Sequence, residues 1–366
     1  MSLSVRQPFQ LYFPLTCLAV FIALLPWWLL WLSPVNFNLP LHFHSIGMIN
    51  LVGGAAFTGF LFTALPEWTG QQLNWRIHLP LLVFLLLLLA TQLITPQIAA
   101  FIAIVYWGYL LILCTLLMWR AKNWRHQSFL WLMLIILVLN AYYFAYPAGT
   151  VLWQIVDIMI ASISIANFRI ARAIGNQALD DAQDERRFIP HPIYKNLTII
   201  TMILLVISQF YYGLTIQAYL ALAVGFAFLA RLNDWHNIIF LRCHYIRAHY
   251  VITLLIALGY LFLGMSLLSH NAYIQAARHL IAIGGMLAMI YLTISIAGLR
   301  HSHLKLKFHW YTRLGLVLIF IAALSRSIGV VIFPSTLNLI ILPTVLITLS
   351  FLCYLSVYLP IFLIKK

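Results

Sequence analysis

Acidic residues are scarce in this sequence. Its 366 residues include only 7 aspartates and glutamates against 21 lysines and arginines, and 8% of the chain is charged. Hydrophobic residues make up 64% of it and its mean hydropathy is +0.99, which excludes an ordinary soluble domain. So few carboxylates also argue against a paired-carboxylate active site. We therefore expect an all-α, integral membrane protein in contact with a lipid bilayer.

Cysteine pairs and the motifs of soluble enzymes are missing as well. The four cysteines, Cys17, Cys114, Cys243 and Cys353, form no CxxC pair, so we expect no disulfide framework. The sequence contains no GxSxG, Walker, GxGxxG or HExxH pattern. Its basic residues are spread between apolar segments rather than gathered on one domain, which argues against nucleic acid as a partner.

Long apolar runs fill most of the chain. A helix needs about 20 apolar residues to cross the hydrocarbon core. Division at the polar, proline and glycine interruptions predicts twelve spans, roughly 11–32, 45–65, 79–94, 97–119, 128–146, 148–168, 195–213, 214–232, 249–269, 275–299, 313–333 and 337–363. With the N-terminus inside, every lysine and arginine except Arg278 and Arg326 falls on the cytoplasmic side, so both termini are predicted to be cytoplasmic.

The polar segment 169–194, which contains DDAQDERR, is the only plausible divider of the chain. It predicts either one membrane domain over 1–366 or two six-helix halves, 1–168 and 195–366, joined by this segment as a cytoplasmic loop. A weak internal echo between GFLFTALPEW and GFAFLARLNDW, six spans apart, would fit such a repeat, although aliphatic runs also produce echoes by chance.

Histidines are the candidate ligands. Of the thirteen, His42, His44, His270 and His279 fall on the predicted outer side, and neutral imidazole is a common ligand for haem iron and copper. Met48 follows His44 by one helical turn, so the pair could offer a nitrogen and a thioether. The alternative is an interfacial histidine above a packed methionine.

Small and charged residues inside the spans raise two further hypotheses. Gly53, Gly54 and Gly59 would let a neighbouring helix, or a flat macrocycle, approach the backbone closely. Asp157 and Arg326 lie deep in predicted spans, where each charge needs a partner or a wet cavity. An intramembrane ion pair between them is the simplest prediction, and a proton or ion pathway is the rival.

Residues 43–70 read FHSIGMINLVGGAAFTGFLFTALPEWTG, and residues 278–302 read RHLIAIGGMLAMIYLTISIAGLRHS. The first resembles a pattern of the NnrS family of bacterial membrane proteins, WHAHEM followed by a glycine-containing helix and a TAVPNWTG-like ending. The second is similar to that family's HALTVGAIGTMTLGVMTRVTLGHTG and places His279 and His301 on its two histidines. Shorter similarities lie in LLIALGYLFLG at 254–264, NFRIARAIGNQAL at 167–179 and QPFQLYFPL at 7–15.

The resemblance implies a multi-pass protein of the bacterial inner membrane that contains haem b and copper. It also implies a link to denitrification and to tolerance of nitric oxide and nitrosative stress. Cofactor binding would then fall to His44, His279 and His301. Two family histidines are replaced here, by Ile46 and by Ala257, and the family glutamate by Gly47.

Helix geometry separates these candidates into two places. His279 and His301 would be about 33 Å apart on one span at 1.5 Å per residue, so they cannot share a metal. His44 and His279 both start inward-running spans, which predicts an outer site assisted by His42, His270 or Met48. His301, or the nearby His303, would have a separate inner role. The alternatives are a transporter or channel that uses Asp157 and Arg326, and a divergent relative without a cofactor.

Overall fold

The regular structure of this chain is helical. The computed structural model describes residues 7–32, 39–71, 73–269 and 273–363, and no strand occurs among them. The prediction of an all-α polytopic membrane protein is confirmed. Each of the predicted spans coincides with a helix. In chain order these helices are α1 (Pro8–Ala23 with Leu25–Leu32), α2 (Leu41–Thr69), α3 (Trp75–Thr91), α4 (Pro96–Arg120), α5 (Ser128–Ala145), α6 (Gly149–Asp181), α7 (Pro192–Tyr211), α8 (Leu214–Trp235), α9 (His244–Leu268), α10 (Ile274–His301), α11 (Trp310–Ile332) and α12 (Leu337–Leu363).

Length and hydropathy divide the helices into two groups. Among the described residues, ten helices are long and apolar enough to cross a membrane, or eleven if the bent α1 counts as one span. The remaining helix, α3, is apolar but shorter. The predicted segments therefore coincide with helices, whereas the count of twelve spans and the cytoplasmic position of both termini stay predictions.

The bend in α1 follows from proline chemistry. Its two parts meet at Leu24 with an angle of 41°. Pro26 has no N–H with which to bond the Ile22 carbonyl, and its ring clashes with the preceding turn. The carbonyl groups of the turn that ends at Ala23 therefore need other partners.

Helices α2 and α10 share an unusual construction. Each starts with six α-helical residues, Leu41–Ile46 and Ile274–His279. Each then widens into a π-helix, Gly47–Val52 and Leu280–Leu287, before it returns to α-helix. π-Helical turns are rare and occur frequently at functional sites.

Helix α6 corrects one prediction. The segment 169–194 was expected to be a loop, but α6 continues through its first part to Asp181. Ala171, Ile174, Ala178 and Leu179 are buried there, with the spacing of one helical face. That apolar stripe stabilises the helix beyond the predicted end of the span, although the polar residues between hide it from a hydropathy count.

Packing divides the chain into two compact units. Within the described residues, one unit runs to Met159 and includes the chain from Leu355, and the other is Ile160–Tyr354. The boundary therefore lies inside α6. The two six-helix halves 1–168 and 195–366 stay a prediction.

The first unit contains a buried polar network. Asn50 donates to Asn140 Oδ1 at 3.0 Å and accepts from the Trp107 indole N–H at 2.9 Å. Asn140 in turn donates to the Ile136 carbonyl at 2.8 Å. Asn50, Trp107 and Asn140 are almost completely buried, so the network ties α2 to α4 and α5 through bonds that water cannot replace.

In the second unit, small residues bring α8 and α9 together. A Cβ placed on Gly264 would lie 2.8 Å from the Ala218 carbonyl oxygen, and one on Gly225 would lie 3.0 Å from the Ala257 carbonyl oxygen. Larger side chains at either position would push the helix backbones apart. This is the packing that glycine permits between membrane helices.

Candidate functional site

Two of the predicted ligands lie at the start of α2, each bonded to a helix end. His44 Nδ1 is 2.9 Å from the carbonyl oxygen of Ala23, the residue before the break in α1. His42 Nε2 is 2.9 Å from the carbonyl oxygen of Gln92, at the C-terminus of α3. The last carbonyls of a helix lack partners within the helix, so both histidines supply donors that these ends need.

These contacts fix which ring nitrogen carries the proton. A carbonyl oxygen only accepts, so the neutral His44 ring is protonated on Nδ1 and has its lone pair on Nε2. A metal-ligating histidine typically has this tautomer, with one ring N–H donated to a carbonyl and the lone pair on the other nitrogen. His42 is protonated on Nε2 instead, and its lone pair is on Nδ1.

The surroundings of His44 combine an aromatic ring with a buried amide. The Trp27 ring lies edge-on to the His44 ring, with centroids 5.1 Å apart. Gln92 is fully buried, and neither atom of its side-chain amide has a hydrogen-bond partner in the described part of the chain. Its Oε1 would be 3.1 Å from a Cβ at Gly47. The Gln92 amide is therefore a buried polar group without a hydrogen-bond partner close to the start of α2.

The glycines of α2 accommodate neighbouring side chains. A Cβ on Gly53 would lie 2.8 Å from Met159 Sδ, and one on Gly54 would lie 3.0 Å from the Tyr106 ring. The space beside Gly59 is occupied in the same way by Tyr12 and Phe13. The prediction that these glycines allow close helix approach is supported, and the space beside them is occupied by protein. Met48 is half-buried within the π-helical turn that follows His44.

His279 in the second unit repeats the proton arrangement of His44. It ends the first six residues of α10, and its Nδ1 is 2.7 Å from the Gln275 carbonyl oxygen, one turn earlier in the same helix. The lone pair is therefore on Nε2. A π-helix begins at the next residue. His301 is half-buried at the other end of α10, and His303, just beyond it, is exposed.

The remaining predicted residues are distributed between the two units. His44 belongs to one unit and His279 to the other, so their shared site stays a prediction. The same holds for the ion pair: Asp157 is fully buried in α6 of the first unit, and Arg326 lies in a π-helical turn of α11 in the second. His270 lies outside the described residues.

Comparison with known families agrees with the sequence resemblance. The family model for the NnrS protein matches residues 4–366, nearly the whole chain. The chain belongs to the NnrS family. No curated protein matches it. Ile46 and Ala257, at the two positions where the sequence resemblance places family histidines, are both buried.

Copper and haem, the two cofactors that the resemblance implies, need different numbers of protein ligands. Within residues 7–32, 39–71, 73–269 and 273–363, no group of three or more His, Cys, Asp or Glu side chains could hold a metal ion. These side-chain types therefore form no three-donor copper centre among those residues. An axial haem ligand needs only one imidazole with its lone pair on a defined nitrogen, and His44 and His279 fit that requirement.

Two buried histidines escaped the sequence reasoning. His249 is 2% exposed, lies 5.3 Å from the Trp235 ring, and has no hydrogen-bond partner on either nitrogen in the described portion of the chain. His78 is also 2% exposed, among the rings of Tyr12, Phe62 and Trp75. Both fall at the start of a predicted span, 79–94 and 249–269, where a membrane boundary is expected. The start of α9 at His244 puts His249 one turn inside, which hydropathy alone does not reveal.

Proposed function

We propose that this NnrS-family protein binds haem b in the bacterial inner membrane and acts in the response to nitric oxide, with His44 and His279 as haem ligands. The observation that supports the proposal most is the shared proton arrangement: both rings donate Nδ1–H to a carbonyl oxygen and keep the lone pair on Nε2. A bound haem would supply an iron centre with affinity for nitric oxide.

The protein residues would act chiefly by orientation. The Ala23 carbonyl holds the His44 ring against rotation, and the edge of Trp27 limits the space beside it. The Gln275 carbonyl does the same for His279. Each carbonyl accepts the Nδ1–H of its imidazole and so raises the basicity of Nε2, which favours coordination of iron by that nitrogen. We assign no catalytic step to these residues.

The inner-membrane location is part of the same proposal. The charge distribution of the loops predicts cytoplasmic termini, the arrangement that the positive-inside rule gives for a bacterial inner-membrane protein. A role in tolerance of nitrosative stress and in denitrification would follow from nitric oxide binding at this membrane.

Absorption spectroscopy of the purified, haem-loaded protein tests the proposal. We expect a Soret band that shifts when nitric oxide is added. His44→Ala and His279→Ala should each lower haem content, whereas the exposed His191→Ala should not. If the two ligands share one haem, either variant loses nearly all of it. If each histidine binds a separate haem, either variant loses about half of the haem.

A spectrum without haem, under conditions that load other haem proteins, would contradict the proposal. Equal haem in wild type, His44→Ala and His279→Ala would contradict the assignment of ligands. A transporter or channel is the second candidate, and the complete burial of Asp157 in a spanning helix is the observation that favours it. Ion flux into proteoliposomes that Asp157→Asn abolishes would then support that candidate.

A further inference from the structure

A cavity of about 340 Å³ lies in the second unit, where α6 extends past its predicted span. The C-terminal end of α10 contributes its remaining wall. Both helix ends are on the predicted cytoplasmic side. The cavity is lined by Arg169, Arg172, Ala173, Asn176, Gln177, Asp180 and Arg300.

The charge of this arginine cavity is positive. Three of its lining residues are arginines and one is an aspartate. Asp180 accepts a hydrogen bond from Arg187 at 2.8 Å, so its charge already has a partner. Arg172 and Arg300 are exposed and form no ion pair within the described residues. Arg172 and Arg300 thus bring to the cavity two positive charges that no ion pair with a described carboxylate balances.

The side-chain amides that line the cavity are hydrogen-bonded to other protein groups. Asn176 donates to the carbonyl oxygens of Arg172 and Phe188 and accepts from the Phe188 N–H. Gln177 donates to Asp181 at 2.9 Å. These bonds shape the wall, so recognition of a ligand falls to the guanidinium groups.

The chemistry of those groups indicates the ligand. Arginine presents a planar set of donors that matches the oxygens of phosphate, often through two parallel hydrogen bonds. The volume is near the lower end of the range of small-molecule sites. Basic cavities at the cytoplasmic ends of membrane helices lie at the level of lipid head groups.

We propose that the arginine cavity binds a phosphate group, carried either by an anionic phospholipid or by free phosphate. Arg172 and Arg300 would bind its oxygens directly, with Arg169 at the wall. The site is independent of His44 and His279, so it does not depend on haem binding. Its occupant would fix the end of α6 against the end of α10.

Two arms distinguish the source of the phosphate. In the first, full-length protein in a neutral detergent is titrated with inorganic phosphate by calorimetry. In the second, the protein is placed in nanodiscs of zwitterionic lipid with and without phosphatidylglycerol, and retained lipid is counted by native mass spectrometry. A lipid site binds phosphatidylglycerol far more tightly than phosphate, and a free-phosphate site shows the reverse preference.

Arginine variants identify the residues. Arg172→Gln and Arg300→Gln should each weaken binding about tenfold or more, the loss typical of a charge-assisted hydrogen bond. Arg186→Gln is the matched control, because Arg186 is exposed in the following loop and bonds to Asp184 outside the cavity. Those bonds lower the pKa of Asp184 to about 2, because the Arg186 guanidinium stabilises the ionised carboxylate. Unchanged elution on gel filtration would show that each variant is folded.

The proposal is overturned in either of two cases. One is that neither phosphate nor phosphatidylglycerol binds to the wild type. The other is that both bind equally well to wild type, Arg186→Gln and the Arg172→Gln/Arg300→Gln double variant. Since the readouts are calorimetry and lipid counting, a failure here is separate from a failure of the haem proposal.

Discussion

His44 Nδ1 lies 2.9 Å from the Ala23 carbonyl oxygen, at the residue where the first helix breaks. One hydrogen bond therefore joins the start of α2 to the end of the first part of α1. It also determines the proton position on the ring, so a structural contact and a candidate ligand depend on the same side chain.

The two roles of His44 can be separated by substitution. His44→Ala leaves the Ala23 carbonyl without its side-chain donor, and we expect a loss of about 1–3 kcal/mol in the free energy of unfolding. His44→Asn places an amide N–H near the position of Nδ1, so most of that loss should be recovered. Unfolding in detergent measures both. Equal destabilisation by Ala and Asn would contradict the role of the hydrogen bond.

The Asn50 network provides a second prediction. Asn50→Leu removes the acceptor of the Trp107 N–H and the donor to Asn140. Because these groups remain buried, the variant should lose about 2–3 kcal/mol of stability. Trp107→Phe removes the indole N–H that Asn50→Leu leaves without an acceptor. Its loss of stability should therefore be smaller in the Asn50→Leu background than in wild type. Strict additivity in this double-mutant cycle would show that the contact carries no coupling energy.

Close packing at Gly175 provides a third prediction. A Cβ at Gly175 would overlap the Phe188 ring, which stacks on Trp235 with centroids 4.7 Å apart. Gly175→Ala must displace that ring, and we expect a cost of about 1–3 kcal/mol. Gly213→Ala is the control, since nothing lies within 4 Å of its Cβ. Thermal melts that show the two variants equally stable would contradict the packing argument.

The predicted ion pair of Asp157 and Arg326 is testable by neutralisation. If the two charges pair, Asp157→Asn or Arg326→Gln alone leaves an uncompensated charge in the membrane, and the double variant should express better than the worse single variant. Membrane yield and melting temperature measure this. A double variant no better than the worse single one would remove support for the pair.

Hydropathy is sufficient to locate the helices, because each span must supply about 20 apolar residues whatever its neighbours are. It does not reveal where a helix continues into polar sequence. The end of α6 at Asp181 depends on a stripe that includes Ala171 and Ile174, and this stripe becomes apparent only at helical spacing. The π-helical turns after His44 and His279 lie inside predicted apolar spans, so hydropathy does not distinguish them from α-helix.

The candidate site was predictable only in its residue types. The histidines themselves were found from the resemblance and from their place at span ends. The carbonyl partners of His42 and His44 come from helices 50 and 21 residues away, so no spacing rule could indicate them. His249 was missed for a similar reason, because it is buried beside Trp235, which precedes it by 14 residues in another helix.

The most direct test is the Soret absorbance of haem-loaded wild type beside His44→Asn. The asparagine retains a donor to the Ala23 carbonyl but has no atom at the position of Nε2. We predict that wild type shows a Soret band that nitric oxide shifts, and that His44→Asn melts close to wild type while its band is lost or halved. A full Soret band in folded His44→Asn, or none in wild type, would contradict the account.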